Sequence, residues 1–378
     1  MKAVVLGAGM VGRVIAADLA EDFEVTLADN RTDALESAAR HAGRPIRTIA
    51  ADLSDPRALA DLIAGADVVA GALASGLGFQ TLRTLIECGR PYCDISFMPQ
   101  NAWELDEMAR ARGLTAIVDC GVAPGMSNLL AGFGAARLDT CERIEIYVGG
   151  LPRQRRWPFQ YKAAFSPADV IEEYTRPARL VEHGQVVERE ALSEPELMDF
   201  DGVGTLEAFN TDGLRSLAYT MDAPFMKEKT LRYPGHIELM RVLRATGLFG
   251  SEPVAIGDSA VRPLDLLSAL MFPMWSYEEG EEDLTVMRII VEGERAGARR
   301  RLSWDLLDFY DRQLQRTSMA RTTAYPCAIL ARMLAEGSLR RPGVITPEQL
   351  GPDQALVDRV LAEHERRGVR YIGRDETL

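Results

Sequence analysis

Three glycines near the N-terminus, spaced Gly7-x-Gly9-x-x-Gly12, have the arrangement that lets a backbone turn tightly against a pyrophosphate. Gly7 makes the turn, Gly9 admits the phosphate, and Gly12 lets the following helix pack closely on the preceding strand. Val4, Val5 and Leu6 before them read as a buried strand. Val11, Ile15 and Leu19 after them read as one face of a helix whose N-terminus offers free N–H groups and a partial positive charge to an anion. A second strand, Glu24 to Ala28, ends at Asp29, 17 residues beyond Gly12, the place of the acid that grips adenosine ribose hydroxyls. The expected dinucleotide site therefore comprises Gly7, Gly9, Met10, Val11, Gly12, Asp29, Asn30, Asp52, Leu53, Ala72, Leu73 and Ala74. Asp29 favours NAD over NADP, because a carboxylate there repels a 2′-phosphate, while Arg31 close by in sequence works against that preference.

Residue types suited to acid–base work and to pairing charges occur at a few further places. Lys229, Arg232, Tyr233 and His236 surround Pro234-Gly235, between a strand and a helix. A histidine at a helix N-terminus has its protonated form disfavoured, which suits a neutral base, and a structural histidine is the competing reading. Lys162 lies between Tyr161 and Phe165, where partial burial would ease loss of its proton, although a lysine more often keeps its head in water. Asp212 and Arg215, in a polar turn after Asn210 and Thr211, are matched to an ammonium and a carboxylate, and a plain turn with a surface arginine serves equally well. Asp119, before Pro124-Gly125, is read either as facing the nicotinamide end of the site or as capping the next helix. Thr322 and Thr323 bring hydroxyls from a returning segment, with helix capping as the alternative. His236, Lys162 and Asp119 are thus the catalytic candidates, and Asp94, Phe97, Asp212, Arg215, Arg232, Thr322 and Thr323 the substrate-binding ones.

The elements that must position these groups alternate regularly over the first third of the chain. Helices at Thr32 to Ala42, from Pro56 behind the Asp55 cap with Leu59, Leu62 and Ile63 on one face, at Leu77 to Cys88 and at Asn101 to Arg112 separate strands at Ile46 to Ala50, Asp67 to Ala72, Pro91 to Asp94 and Leu114 to Val118. Six strands alternating with helices make a doubly wound parallel sheet of the Rossmann kind, with ligands beyond the carboxyl ends of the strands. After Asp139 the pattern changes. Arg143 to Gly150 alternates as an antiparallel strand does, His183-Gly184 suits a hairpin turn, and Leu284 to Glu292 and Arg299 to Leu306 flank Gly293 to Ala298. With helices at Pro167 to Tyr174, Gly235 to Thr246 and Pro263 to Leu270, this is an α+β domain on a mixed open sheet. Helices at Met319 to Leu334 and Gln354 to Arg367 return to the first domain. The expected division is 1–125 plus 318–378 for dinucleotide binding, and 126–317 for substrate binding and dimerisation.

A chain of 378 residues exceeds the usual span of one core, which agrees with two domains. The net charge of -13 argues against nucleic acid as partner. Five cysteines without CxxC spacing and four dispersed histidines indicate neither a disulfide framework nor a metal site. No apolar run is long enough to span a membrane and the chain opens on its first strand, so a reduced, cytoplasmic protein is expected, working as a homo-oligomer, most simply a dimer, on a small molecule.

GAGMVG at 7–12, CDIS at 93–96, VDCGVAPGMSN at 118–128, YVGGLP at 147–152, EAFNTDGLRSL at 207–217, KTLRYPGH at 229–236 and TSMARTTAYP at 317–326 together resemble the saccharopine dehydrogenase and lysine 6-dehydrogenase family, in order and over nearly the whole chain. The resemblance implies a nicotinamide oxidoreductase acting on an amino acid. Ala123 stands where saccharopine reductases carry Asp, Phe97 where they carry Tyr, and the chain is compact, which is more like lysine 6-dehydrogenases. The implied reaction is oxidation of L-lysine at its ε-carbon to 2-aminoadipate 6-semialdehyde with NAD. The alternatives are a saccharopine dehydrogenase-like enzyme that forms or cleaves a secondary-amine amino acid, and a catalytically silent dinucleotide sensor.

Overall fold

The computed structural model describes residues 1–163 and 167–378 and separates them into two compact units, Met1–Ala136 with Ala320–Arg370, and Arg137–Met319 with Tyr371–Leu378. The first unit opens with β1 (Lys2–Leu6), α1 (Gly12–Leu19), β2 (Glu24–Asp29), α2 (Thr32–His41), β3 (Arg47–Ala50) and α3 (Pro56–Ile63). It continues through β4 (Val68–Gly71), α4 (Ser75–Glu87), β5 (Tyr92–Asp94), α5 (Asp106–Ala111) behind a 3-10 turn, β6 (Thr115–Ile117) and α6 (Met126–Ala135). The apolar runs form these strands because both faces of a parallel sheet are covered by helices, so continuous Val, Leu and Ala suit it better than alternation.

The second unit holds β7 (Thr140–Pro152), α7 (Pro167–Thr175), β8 (Ala178–Glu182), β9 (Gln185–Arg189), β10 (Glu196–Phe200), β11 (Gly204–Asn210), α8 (Leu217–Thr220), β12 (Phe225–Arg232) and α9 (His236–Ala245). The hairpin of β13 (Val254–Ile256) and β14 (Ser259–Val261) leads to α10 (Pro263–Trp275), β15 (Asp283–Arg295) and β16 (Ala298–Phe309). The chain ends with α11 (Ser318–Ala335), β17 (Gly343–Ile345), α12 (Gln354–Arg366) and β18 (Tyr371–Thr377).

The first sheet has seven parallel strands in the order β17-β6-β5-β4-β1-β2-β3, one more than the six read from sequence, because Gly343–Ile345 joins the edge beside β6. The second is a mixed sheet of nine strands with the path β10-β11-β12-β7-β15-β16-β18, in which β8 joins β12 and carries β9. β12 runs parallel to β7 and the other pairs run antiparallel.

Three parts of the expected division are corrected, the smallest being that Ser318 and Met319 fall in the second unit. Residues 126–136 belong to the first unit, because Asn128 donates to Glu348 Oε2 at 3.3 Å and Gly132 lies so close to the Glu348 backbone that a Cβ would sit 2.3 Å from its carbonyl oxygen. Residues 371–378 belong to the second unit, because β18 adds to β16 over Tyr371 to Thr377.

One buried ion network fastens the returning helices to the nucleotide helix. Asp18 on α1, 4% exposed, is bonded by Arg332 of α11 and by Arg367 Nε at 2.7 Å, and Arg332 also reaches Asp22 at 2.8 Å. Burial pulls the Asp18 carboxyl upward, but the two guanidiniums overcome it and hold it below its ordinary 3.8. Asp18→Ala leaves two buried cations short of a partner, and the expected cost is about 3–5 kcal/mol, read as a shift in the urea midpoint. The wild-type contribution is present at neutral pH and is lost as pH falls through the depressed pKa.

Candidate active site

The expected dinucleotide residues come together at the carboxyl ends of β1 to β4. Gly7, at φ +96°, donates its amide to Ala28 O at 2.8 Å, and a Cβ on it would sit 2.4 Å from Ala72 O. A Cβ on Gly12 would lie 1.9 Å from Gly7 O, whereas one on Gly9 would meet nothing within 4 Å. The first and third glycines are thus fixed by backbone contact, and the second leaves an open cradle before the N-terminus of α1. Ala8 N donates to Asp29 Oδ2 at 2.7 Å and Arg31 N to Asp29 Oδ1 at 2.8 Å, so the carboxylate is held against the glycine turn. The Arg31 guanidinium lies 3.8 Å from Asp29 and is 59% exposed. Asp52 caps its own turn by accepting from Ser54 N at 2.9 Å and Ser54 Oγ at 2.6 Å, and Leu53 is buried behind it. Ala72 and Leu73 abut Gly7, and Ala74 begins α4. The open glycine, the tethered acid and the helix N-terminus fit a dinucleotide.

Further along the same edge lie Asp94, Phe97 and Asp119. Asp94 is fully buried and accepts from Ser96 N at 2.9 Å and Ser96 Oγ at 2.5 Å. Burial, opposed by the Ser96 bonds and reinforced by the Asp119 charge, raises its pKa from 3.8 to about 7. Cys120 N donates to Asp94 O at 2.8 Å, which joins the end of β5 to the turn that follows β6. In that turn Asp119 adopts φ +56° and is 5% exposed. It does not cap α6, whose N-cap is Gly125, with Asn128 Oδ1 accepting from Gly125 N at 3.3 Å. Thr323 meets the same turn, its Cγ2 lying 3.3 Å from where a Gly121 Cβ would be, and Thr322 is buried. Neither threonine caps α11, because Asp283 accepts from Ser318 N at 2.6 Å and Met319 N at 3.0 Å.

In the second unit the structure gives several of the expected residues partners within the protein. His236 begins α9 as expected but is 1% exposed, with Nδ1 2.9 Å from Phe159 O and Nε2 2.9 Å from the Tyr174 hydroxyl. Burial, then the nearby Arg232 charge, lowers its pKa from 6.5 to about 3. Both nitrogens are bonded within the protein, the arrangement that the structural reading of this histidine requires. Arg232 is likewise turned inward, donating to Glu173 Oε2 at 2.7 Å and lying 4.4 Å over the Tyr161 ring, so its guanidinium serves this network and not a substrate carboxylate. Asp212 receives both arms of Arg179 at 2.8 Å, a partner the sequence reading did not foresee. Lys162 donates to Glu281 Oε2 at 2.6 Å and Ser276 O at 2.7 Å, tying residue 162 to the 276–281 segment in place of shuttling protons. Phe165, expected beside it, lies outside the described residues. Arg215 is half-buried at φ +51°. The acidic run Glu278 to Asp283 is only partly a solvated loop, since Glu281 and Asp283 are drawn inside.

Glu228 escaped the sequence reading. It is 4% exposed on β12 and accepts from Thr211 Oγ1 at 2.5 Å, and burial raises its pKa from 4.5 to about 8. Nothing in FMKEKTLR distinguishes this carboxyl from the charged residues on either side of it, because its partner Thr211 follows the end of β11. Glu173, the partner of Arg232, was hidden for the same reason.

Residues 3–117 match the family model described as the saccharopine dehydrogenase NADP binding domain, and residues 121–369 match the saccharopine dehydrogenase C-terminal domain. The chain is similar to saccharopine dehydrogenase [NADP(+), L-glutamate-forming] of Schizosaccharomyces pombe, with 23% identity over 84% of this chain and 87% of that one. It is also 23% identical to carboxyaminopropylagmatine dehydrogenase of Synechocystis, over 94% of each chain. Its fold is that of the apo saccharopine dehydrogenase (L-Glu forming) from Saccharomyces cerevisiae, at TM-score 0.81 and 19% identity, covering 100% of this chain and 99% of that one.

Proposed function

This chain belongs to the saccharopine dehydrogenase family, and we propose that it is a pyridine-nucleotide oxidoreductase that makes or breaks the C–N bond of a carboxylate-bearing secondary amine. The observation that carries this reading is that both units match, the substrate-side unit as well as the nucleotide cradle. The two relatives named above are called after saccharopine and carboxyaminopropylagmatine, each an amine nitrogen joined to an amino-acid carbon chain. They favour the secondary-amine reading over a lysine 6-dehydrogenase, to which Ala123 and the compact length had pointed.

The bound nucleotide supplies the hydride acceptor or donor. The chain's own part is to hold the phosphates on the α1 N-terminus, to fix the ribose with Asp29, and to bring Asp94, Phe97, Asp119, Thr322 and Thr323 to the reacting end. To test the reaction class, candidate amines are offered with aldehydes or oxo acids and NADH or NADPH, and the products are weighed. A mass equal to amine plus carbonyl, less water, plus two hydrogens supports the proposal. Deamination of free lysine alone would restore the earlier reading, and no turnover with any pair would favour a dinucleotide sensor.

For the nucleotide we propose NAD over NADP, although the matching family model is named for NADP. The carboxylate of Asp29 is held by two amides where the ribose hydroxyls arrive, with Arg31 beside it as the opposing influence. Asp29→Ala is expected to raise the NADP-to-NAD ratio of kcat/KM by about tenfold or more, an effect of ~1.4 kcal/mol. Arg31→Ala should lower it. A wild-type protein that already prefers NADP, and loses that preference in Arg31→Ala, would reverse the assignment.

A further inference from the structure

The ends of β5 and β6 carry two carboxyls, Asp94 and Asp119, and a phenol within one buried corner. Gly71, at the end of β4, makes room for it, since a Cβ there would lie 2.0 Å from the Tyr92 hydroxyl and 2.7 Å from Asp94 Oδ1. Tyr92 is fully buried and its hydroxyl lies against the Asp94 carboxyl, where it favours the ionised form while burial and the Asp119 charge oppose it. Ser96 Oγ donates to Asp94 Oδ2 at 2.5 Å and is wedged against α4, where a Cβ on Gly78 would sit 2.4 Å from it. The groups that act on Asp94 are Tyr92 and Cys93 from its own strand, Asp119 from the segment after β6, and Cys327 from α11, with Cys120 beside Cys93. No described cation bonds Asp94, and two buried carboxyls so close together cannot both be charged without cost.

We propose that Asp94 is the proton reservoir of the reaction, positioning and polarising the Ser96 hydroxyl through which the substrate nitrogen exchanges its proton. The proposal rests on the secondary-amine reading. In the oxidative direction an N–H bond of the substrate ammonium breaks as its proton moves to Ser96 Oγ. The Ser96 O–H bond breaks in turn as that proton moves to Asp94 Oδ2, and the nitrogen keeps the electron pair. The proton count is unchanged: the amine becomes neutral and the Asp94 carboxylate becomes a carboxylic acid. In the reductive direction the same two transfers run backwards. Asp94 must be ionised to accept the proton, so oxidation rises with pH through its titration, and burial and the Asp119 charge place that titration near neutrality.

Two measurements on the full chain test this. Infrared titration of the protein labelled with carboxyl-¹³C aspartate, without substrate, should show a buried carboxylic acid with a midpoint near 7 that is absent in Asp94→Asn, beside a second near 6 from Asp283 that persists there. If Asp94→Asn removes no band titrating near 7, the proposal is overturned whether or not any amine is turned over. The pH profile of kcat/KM for amine oxidation should carry an ascending limb at the same midpoint. Ser96→Thr keeps the limb. Ser96→Ala, which removes a bond that favours the ionised carboxyl, moves it to higher pH and lowers kcat by about 10²-fold with nucleotide affinity unchanged. An Ser96→Ala profile that superimposes on the wild type would overturn the relay. Failure of every secondary amine would count against the reaction class, and the infrared titration would still decide whether Asp94 holds the proton.

Discussion

Gly12→Ala is expected to weaken binding of NAD and NADP alike by about 100-fold or more, some 2.7 kcal/mol, and to lower thermal stability as well. The new methyl group would sit 1.9 Å from the Gly7 carbonyl oxygen, a backbone atom of a residue already held at φ +96°, so α1 must move off β1 and carry its N-terminus away from the phosphates. Gly9→Ala separates the two effects. Its methyl group meets nothing within 4 Å, so folding should be untouched, yet it occupies the space a pyrophosphate must enter. Isothermal titration of both variants, with melting curves alongside, checks this. If Gly9→Ala bound either nucleotide as tightly as the wild type, the open cradle would not be the phosphate site.

His236→Ala should act on stability before chemistry, costing about 3–5 kcal/mol, because it opens a cavity among Tyr161, Tyr174 and Trp275 and strips the Tyr174 hydroxyl and Phe159 carbonyl of their shared partner. Folded molecules should keep kcat within about tenfold, whereas loss of a general base would cost ~10²- to 10⁴-fold. The neutral ring also sets a pH dependence. The unfolded histidine takes a proton below about 6.5 and the folded one only near 3, so stability falls as pH drops through that window, by about 1.4 kcal/mol per unit from this group. Glu228 tilts the other way: its folded form keeps the proton up to about 8, so its share is lost as pH rises from 4.5. The stability gap between the wild type and His236→Ala should therefore narrow by up to about 1.4 kcal/mol per unit as pH falls from 6 to 4. A variant of unchanged stability with abolished turnover would return His236 to catalysis.

The nucleotide unit was legible because its signals are local. Gly7, Gly9, Gly12 and Asp29 lie in one strand–turn–helix–strand run, and the contacts that fix them, Gly7 to Ala72 and Ala8 to Asp29, follow from the alternation of the elements themselves. The second unit depends on partners distant in sequence. Tyr174 and Phe159, which claim the two nitrogens of His236, stand 62 and 77 residues away, so a helix-initial histidine read alone could not be told from a base. Arg232 with Glu173 and Asp212 with Arg179 repeat the lesson: charged residues in polar motifs look like substrate anchors until the partner is seen. Gly343–Ile345 escaped as a strand because three residues carry no period, and Tyr371–Thr377 because an edge strand exposed along nearly its whole length has no apolar face to announce it.

The central claim is that hydride moves to and from a carbon bonded to a secondary-amine nitrogen. Its most direct test is reduction with nucleotide deuterated on the transferred face at C4, run on whichever amine and carbonyl pair the enzyme condenses. The product amine should carry one deuterium, on the carbon newly joined to nitrogen, and the same label should return to the nucleotide when the isolated product is oxidised. Unlabelled product, or label recovered only in a primary amine or an alcohol, would contradict the account.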